Sequence, residues 1–301
     1  MRPFPLTLFG SLFLLASAPA LSAAAEMQVD APGAVLSIEF AGEVDAAVSQ
    51  HIVNWIAHVA DQVSMTYGRF PIAAPRVMII PTKGKPRSNA SPVPFGRVTR
   101  RGVATVELYV DVDRPIEDLY ADWTATHEFS HLLLPRISWR QKWISEGFAS
   151  YYQNVLMARA GQYTPERAIR MLREGFERGR HSRPEWSPNQ AAEEGVRRAR
   201  YKIYWSGAAI ALLADLRLRE LSGGDESLDT VLGRFQQCCL PAEGYWTGTQ
   251  FFRKLDSLAD NPVFMPLYQQ YANTAGFPAT DVALSDPVLR DEILRVRTST
   301  H

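Results

Sequence analysis

Five consecutive residues, His127-Glu128-Phe129-Ser130-His131, have the types and spacing to hold a metal ion and move a proton. Two histidines four apart share one face of an α-helix, so both imidazoles can reach the same ion. Zinc takes imidazole nitrogen and carboxylate oxygen in tetrahedral geometry, and a catalytic zinc keeps one position open, so a third protein ligand is required. Glu146, separated from His131 by fourteen residues, is the candidate. It stands in Trp143-Ile144-Ser145-Glu146-Gly147-Phe148-Ala149-Ser150-Tyr151-Tyr152, on a helix expected after the turn at Pro135. Glu128, next to a ligand on the same turn, suits the general base, taking a proton from water whose pKa a bound metal lowers toward about 7.

This pair of motifs resembles the gluzincin peptidases, especially the aminopeptidase N and glycyl aminopeptidase families and the smaller peptidase MA-like proteins. The resemblance implies one zinc ion held by His127, His131 and Glu146. A further segment, Tyr204-Trp205-Ser206-Gly207-Ala208-Ala209 with Leu212-Leu213-Ala214-Asp215-Leu216-Arg217 and Ser227-Leu228-Asp229 beyond it, is similar to the one that carries the catalytic tyrosine in those families. It implies Tyr204 as the hydrogen-bond donor to the oxyanion of the transition state, with Tyr201, one helical turn earlier, as the fallback. The likeness runs from Asp122 to Asp229. The interval between His131 and Glu146 is shorter than in the aminopeptidase N family, and the Gly-x-Met-Glu-Asn signature that grips a substrate amine there is absent. The implied fold is α+β, a thermolysin-like (zincin) scaffold with a small sheet-containing N-terminal half and a mostly helical C-terminal half.

Other residues with chemical potential have weaker signals. Ser150, four residues after Glu146, reads either as a hydrogen-bonding group behind the metal or as a small residue allowing close helix packing. Glu107 lies on the polar face of the strand that precedes the zinc helix. A strand there pairs with substrate in gluzincins, so Glu107 reads as solvent-facing or, alternatively, as an anchor for a substrate amine. His51, His58, His181 and His301 lack ligand spacing and read as core or surface residues. Lys83, Lys85, Arg87, Arg97, Arg100 and Arg101 read as a solvated loop, with attraction of an acidic substrate as the lesser alternative. Cys238 and Cys239, the only cysteines, are adjacent and expected not to bridge.

The elements that must position these groups follow from periodicity. Ala34 to Phe40 alternates as a strand, and Val44 to Tyr67 has helical spacing through Val48, Ile52, Ile56, Val59 and Val63. Arg76 to Pro81 is a short apolar run, and Thr82 to Phe95 reads as a loop with the composition of a lid. Val103 to Val112 alternates, with Ala104, Val106, Leu108 and Val110 on the apolar face. Helices are expected over 118–133, 142–160, 165–178, 204–221, 228–235, 249–259, 263–275 and 287–296, with Thr164 and Asp286 as N-caps ahead of prolines.

The chain has 301 residues, of which 46% are apolar and 21% charged, with 32 basic and 32 acidic side chains. That is globular composition with no basic footprint, so nucleic acid is not an expected partner. Arg2, the apolar run Leu6 to Leu15 and the small residues up to Ala25 read as a signal peptide over 1–25, with an uncleaved anchor as the alternative. No other segment is apolar enough to span a bilayer, so a periplasmic or secreted protein is expected. The expected division is an α+β unit with a substrate-edge strand over 26–117 and the zinc helix with a helical unit over 118–301. The expected function is peptide-bond hydrolysis on peptide or protein substrates. The alternatives are a non-catalytic envelope binding protein on the same fold and a zinc amidase acting on cell-wall peptides.

Overall fold

The computed structural model describes residues 27–82 and 91–297. The expected signal segment lies outside the described residues, as do Lys83, Lys85, Arg87, His301 and most of the expected lid.

A five-stranded sheet forms the N-terminal part, with β1 (Met27–Ala31), β2 (Ala34–Phe40), β3 (Arg76–Thr82), β4 (Phe95–Thr99) and β5 (Thr105–Asp111) in the order β1-β2-β3-β5-β4. The β1–β2 and β4–β5 pairs are antiparallel, and β2–β3 and β3–β5 are parallel. Parallel neighbours need a crossover, and α1 (Ala46–Ser64) supplies the one between β2 and β3. It buries Ile52, Ile56, Val59 and Val63, four of the five apolar positions expected for its inner face. On β5 the alternation holds, with Val106, Leu108 and Val110 buried and the residues between them half-buried.

The topology corrects one expectation. Strand β5 is paired on both sides, so it cannot accept a substrate strand; the edge strands are β4 and, on the far side of the sheet, β1. Strand β4 begins at Phe95, where only loop had been expected, because five residues without strict apolar alternation carry little periodic signal.

From Ile116 onward the described chain is helical. The helix expected over 118–133 is two, α2 (Ile116–Ala121) and α3 (Thr124–Ser130), followed by a 3-10 turn at His131–Leu133. The break lies at Asp122, whose carboxylate accepts the Thr124 N–H at 2.7 Å and so competes with the helical ladder. Helix α4 (Lys142–Arg159) runs through the middle of this half with almost every residue buried. Around it pack α5 (Pro165–His181), α6 (Pro188–Glu194), which was not expected, and α7 (Val196–Ser222), kinked at Ala199. Helices α8 (Leu228–Cys239), α9 (Gly248–Asp256) and α10 (Phe264–Tyr271) complete it. The helix expected after Asp286 is a short π-helical turn at Leu289–Ile293. Cys238 and Cys239 are joined by a disulfide, contrary to expectation; they stand at the end of α8, where the chain leaves the helix at Leu240.

Helices α4 and α7 cross at two glycines. A Cβ on Gly147 would fall 2.2 Å from the Gly207 Cα, and one on Gly207 would fall 2.0 Å from the Trp143 carbonyl oxygen. Only backbone against backbone fits there, and the crossing sets Glu146 beside the turn of α7 that carries Tyr204.

Candidate metal centre

The HExxH segment occupies α3 and the first residue of the following 3-10 turn, and α3 is buried along its whole length. Ring nitrogens of His127 and His131 and an oxygen of Glu128 all lie within 4.8 Å of one another. Glu146 comes closer to both imidazoles, its Oε2 standing 3.4 Å from His127 Nε2 and 3.6 Å from His131 Nε2. Tetrahedral zinc with bonds of about 2.0–2.1 Å separates its ligands by about 3.3–3.4 Å. The two imidazoles and Glu146 therefore fit the ion as they stand, and Glu128 is left over beside it.

Hydrogen bonds orient this set. His127 Nδ1 is 3.2 Å from Gln153 Oε1, which can only accept, so Nδ1 donates and the Nε2 lone pair faces the centre. Gln153 lies seven residues after Glu146 and so on the same face of α4. It fills the supporting role considered for Ser150, which is buried in α4 and does not line the cleft. Lys142 Nζ holds the other Glu146 oxygen at 2.9 Å. Sequence reasoning missed Gln153 and Lys142, although helical spacing from Glu146 points to both. The Arg100 guanidinium donates to the His131 carbonyl oxygen, a contact with no local signal.

The two carboxylates are driven apart. Burial by itself would raise Glu146, but the facing imidazoles, His131 foremost, and Lys142 hold it well below the usual carboxylate range. Burial dominates at Glu128 and pushes it above that range, against the pull of His131 and His127. Opposed environments for neighbouring carboxyls are the pattern of divided acid–base roles.

Tyr204 joins the group from α7. Its ring stacks on His127, with centroids 5.7 Å apart and planes 9° from parallel. Burial, together with the Glu146 carboxylate to which the phenol is hydrogen-bonded, raises it far above the ordinary tyrosine range, so it remains a donor. Tyr201 is 48% exposed and is not brought to the centre.

The centre opens into a cleft of about 760 Å³ whose wall includes the backbone of β4. Gly96 permits this, since a Cβ there would lie 2.5 Å from Glu128 Cγ. Glu107 is ion-paired with Arg97 at 2.6 Å across the β4–β5 ladder and does not line the cleft. Of the remaining histidines, His51 and His181 are exposed and His58 is hydrogen-bonded to Gln62 and Gln162.

Residues 135–210, which include Glu146 and Tyr204, match the M61 glycyl aminopeptidase family. No curated protein matches the chain by sequence. Among solved structures it is similar to the M1 zinc metallopeptidase from Deinococcus radiodurans, at 16% identity and a TM-score of 0.52 over 87% of this chain and 52% of that one. An aminopeptidase N family protein from Idiomarina loihiensis aligns at 16% identity and a TM-score of 0.53, over 91% and 47%. Native yeast LTA4 hydrolase aligns at 11% identity and a TM-score of 0.54, over 84% and 40%. The chain thus spans about half the length of these proteins or less. In fold it is like the M1 zinc metallopeptidases, and in the segment bearing two of its site residues it is similar to the M61 glycyl aminopeptidases.

Proposed function

We propose that this protein is a zinc-dependent peptidase that hydrolyses peptide bonds with Glu128 as general base. The observation that carries the reading is the single Glu146 oxygen spaced for a tetrahedral ion from both imidazoles, with an uncommitted carboxylate on one side and a phenol on the other. His127, His131 and Glu146 would hold the ion. Bound there, zinc would polarise the scissile carbonyl and make water acidic enough to be deprotonated near neutrality.

The remaining work falls to the chain. An extended peptide adds to the free edge of β4, whose backbone groups supply the hydrogen bonds of an extra strand. Glu128, packed against Gly96 of that strand, receives the proton of the attacking water and passes it to the leaving amine. The Tyr204 phenol donates to the oxygen that gains charge, and Gln153 keeps His127 in one tautomer. Fixed donors in a buried site need little reorganisation as charge develops.

We also propose export to the cell envelope, supported by Arg2 and the apolar run from Leu6 to Leu15. Among the described residues no helix is long and apolar enough to cross a membrane. The test of function is metal content of the purified chain together with cleavage of a mixed peptide library read by mass spectrometry. About one zinc per chain and metal-dependent cleavage are expected; a zinc-loaded chain that cuts no peptide would refute the reading.

A further inference from the structure

The charge of the cleft bears on what kind of peptide it takes, an inference that rests on the peptidase reading above. Five cations line it, Arg97, Arg100, Arg101, Arg136 and Lys142, against two carboxylates, Glu128 and Glu146. Both carboxylates belong to the metal centre, so no described lining residue offers a spare acid for a substrate amine. Arg97 is neutralised by Glu107 and Lys142 by Glu146, while Arg101 is exposed at the rim.

Arg100 and Arg136 differ from these. Arg100 donates to a neutral partner, the His131 carbonyl. Arg136 donates to the Tyr245 phenol at 2.5 Å and lies over its ring, 4.1 Å from the centroid. Among the described residues neither is ion-paired with a carboxylate. Both guanidiniums line the same cleft, Arg100 from just past β4 and Arg136 from five residues after His131. Like charges lining one cleft, half-buried and without a counterion among the described residues, are relieved by an anion held between them.

Their place follows from the strand. Gly96 lies against Glu128, and Arg100 comes four residues later, just past the end of β4. At ~3.3 Å per residue the Arg100 backbone stands about 13 Å beyond Gly96 along that edge, with Arg136 in the same cleft.

We infer that the substrates are peptides presenting a carboxylate within about four residues of the bond that is cut, and that Arg100 and Arg136 receive it. The carboxylate belongs either to an aspartate or glutamate side chain or to the free C-terminus; both offer the same planar anion to a guanidinium.

The test uses the zinc-loaded chain and a matched set of peptides. Each carries Glu, Gln or Lys at one position from four before to four after the scissile bond, with a free or amidated C-terminus. We expect kcat/KM for the best Glu peptide, or for the free acid over the amide, to exceed its neutral counterpart by about tenfold or more and to shrink with added salt. Which comparison shows the effect identifies the source of the carboxylate. Arg136→Glu should remove the preference and raise activity on the matched Lys peptide. If that variant fails to fold, Arg136→Gln, which removes the charge but keeps a polar side chain, should lose the preference alone. Cleavage with equal kcat/KM across the set, or a preference untouched by both variants, overturns the inference and leaves the peptidase reading intact. Binding of the same labelled peptides to Glu128→Gln reads recognition without turnover. Carboxylate-dependent binding to it, with no cleavage by the native chain, upholds the basic pair and overturns the peptidase reading; no carboxylate dependence in either assay overturns the inference.

Discussion

Helix α4 carries buried charge at both ends, and the ends are built for opposite purposes. Toward its C-terminus, Tyr151, Tyr152 and Arg159 meet two aspartates. Asp229 takes the Tyr152 hydroxyl at 3.0 Å, Arg159 at 2.8 Å and Arg297 at 3.3 Å. Asp215 takes the Tyr151 hydroxyl at 2.7 Å, with Arg219 and the Leu228 N–H each at 3.0 Å. Every carboxylate oxygen there has a protein donor. Toward the N-terminus, Glu146 faces two imidazoles at separations long for a hydrogen bond and right for sharing an ion. Burying charge is costly at either end. Where the chain supplies a donor to every carboxylate oxygen the result is architecture, and where it leaves ligand atoms spaced around a common point the result is a candidate binding site.

The comparison is tested hardest by exchanging single groups at each end. The largest expected effect is from Glu128→Gln, which keeps the shape but cannot accept a proton. Turnover should fall about a hundred- to ten-thousandfold, while zinc content and melting temperature stay unchanged; loss of zinc with activity would make Glu128 a ligand. At the other end, Asp229→Ala leaves Arg159 buried and uncompensated. Denaturant titration should show a loss of about 3–5 kcal/mol, with zinc still bound by the folded fraction. A loss below about 1 kcal/mol would deny that end its structural role.

Tyr204→Phe removes one hydroxyl from the metal end. We expect kcat to drop about a hundredfold with little change in KM, because the hydrogen bond forms mainly in the transition state. Tyr201→Phe, on an exposed side chain, is the control, and an effect there instead would relocate the oxyanion donor. The smallest change expected is from Gln153→Ala, which frees the His127 ring. Competition with a chelator should report zinc affinity weaker by about 10- to 100-fold, with stability otherwise retained. Unaltered affinity would mean that α4 packing alone orients the imidazole.

Much of the metal end is legible in the sequence because its parts repeat with helical periodicity. His127 and His131 share a face whatever surrounds them, and α4 runs within one residue of its expected bounds. Glu146 was picked out by its place on the helix after the motif and Tyr204 by resemblance, and the structure brings both to the centre. The far end was not legible, since Asp215, Asp229 and Arg297 converge on α4 from distant parts of the chain with no spacing rule to connect them.

What the sequence determined by itself was the local chemistry: two imidazoles on one helix turn, a carboxylate between them, a second helix with Glu146, and the apolar face of β5. Only the tertiary structure decided which strand offers its edge, because pairing order in a sheet is a long-range choice and β5 is enclosed by β3 and β4. It also decided that Glu107 is neutralised by Arg97, and that Gly147 lies on Gly207. Arg100 and Arg136 were brought to one cleft in the same way, although thirty-six positions separate them along the chain. Each of these depends on packing between segments far apart in sequence, for which local periodicity carries no information.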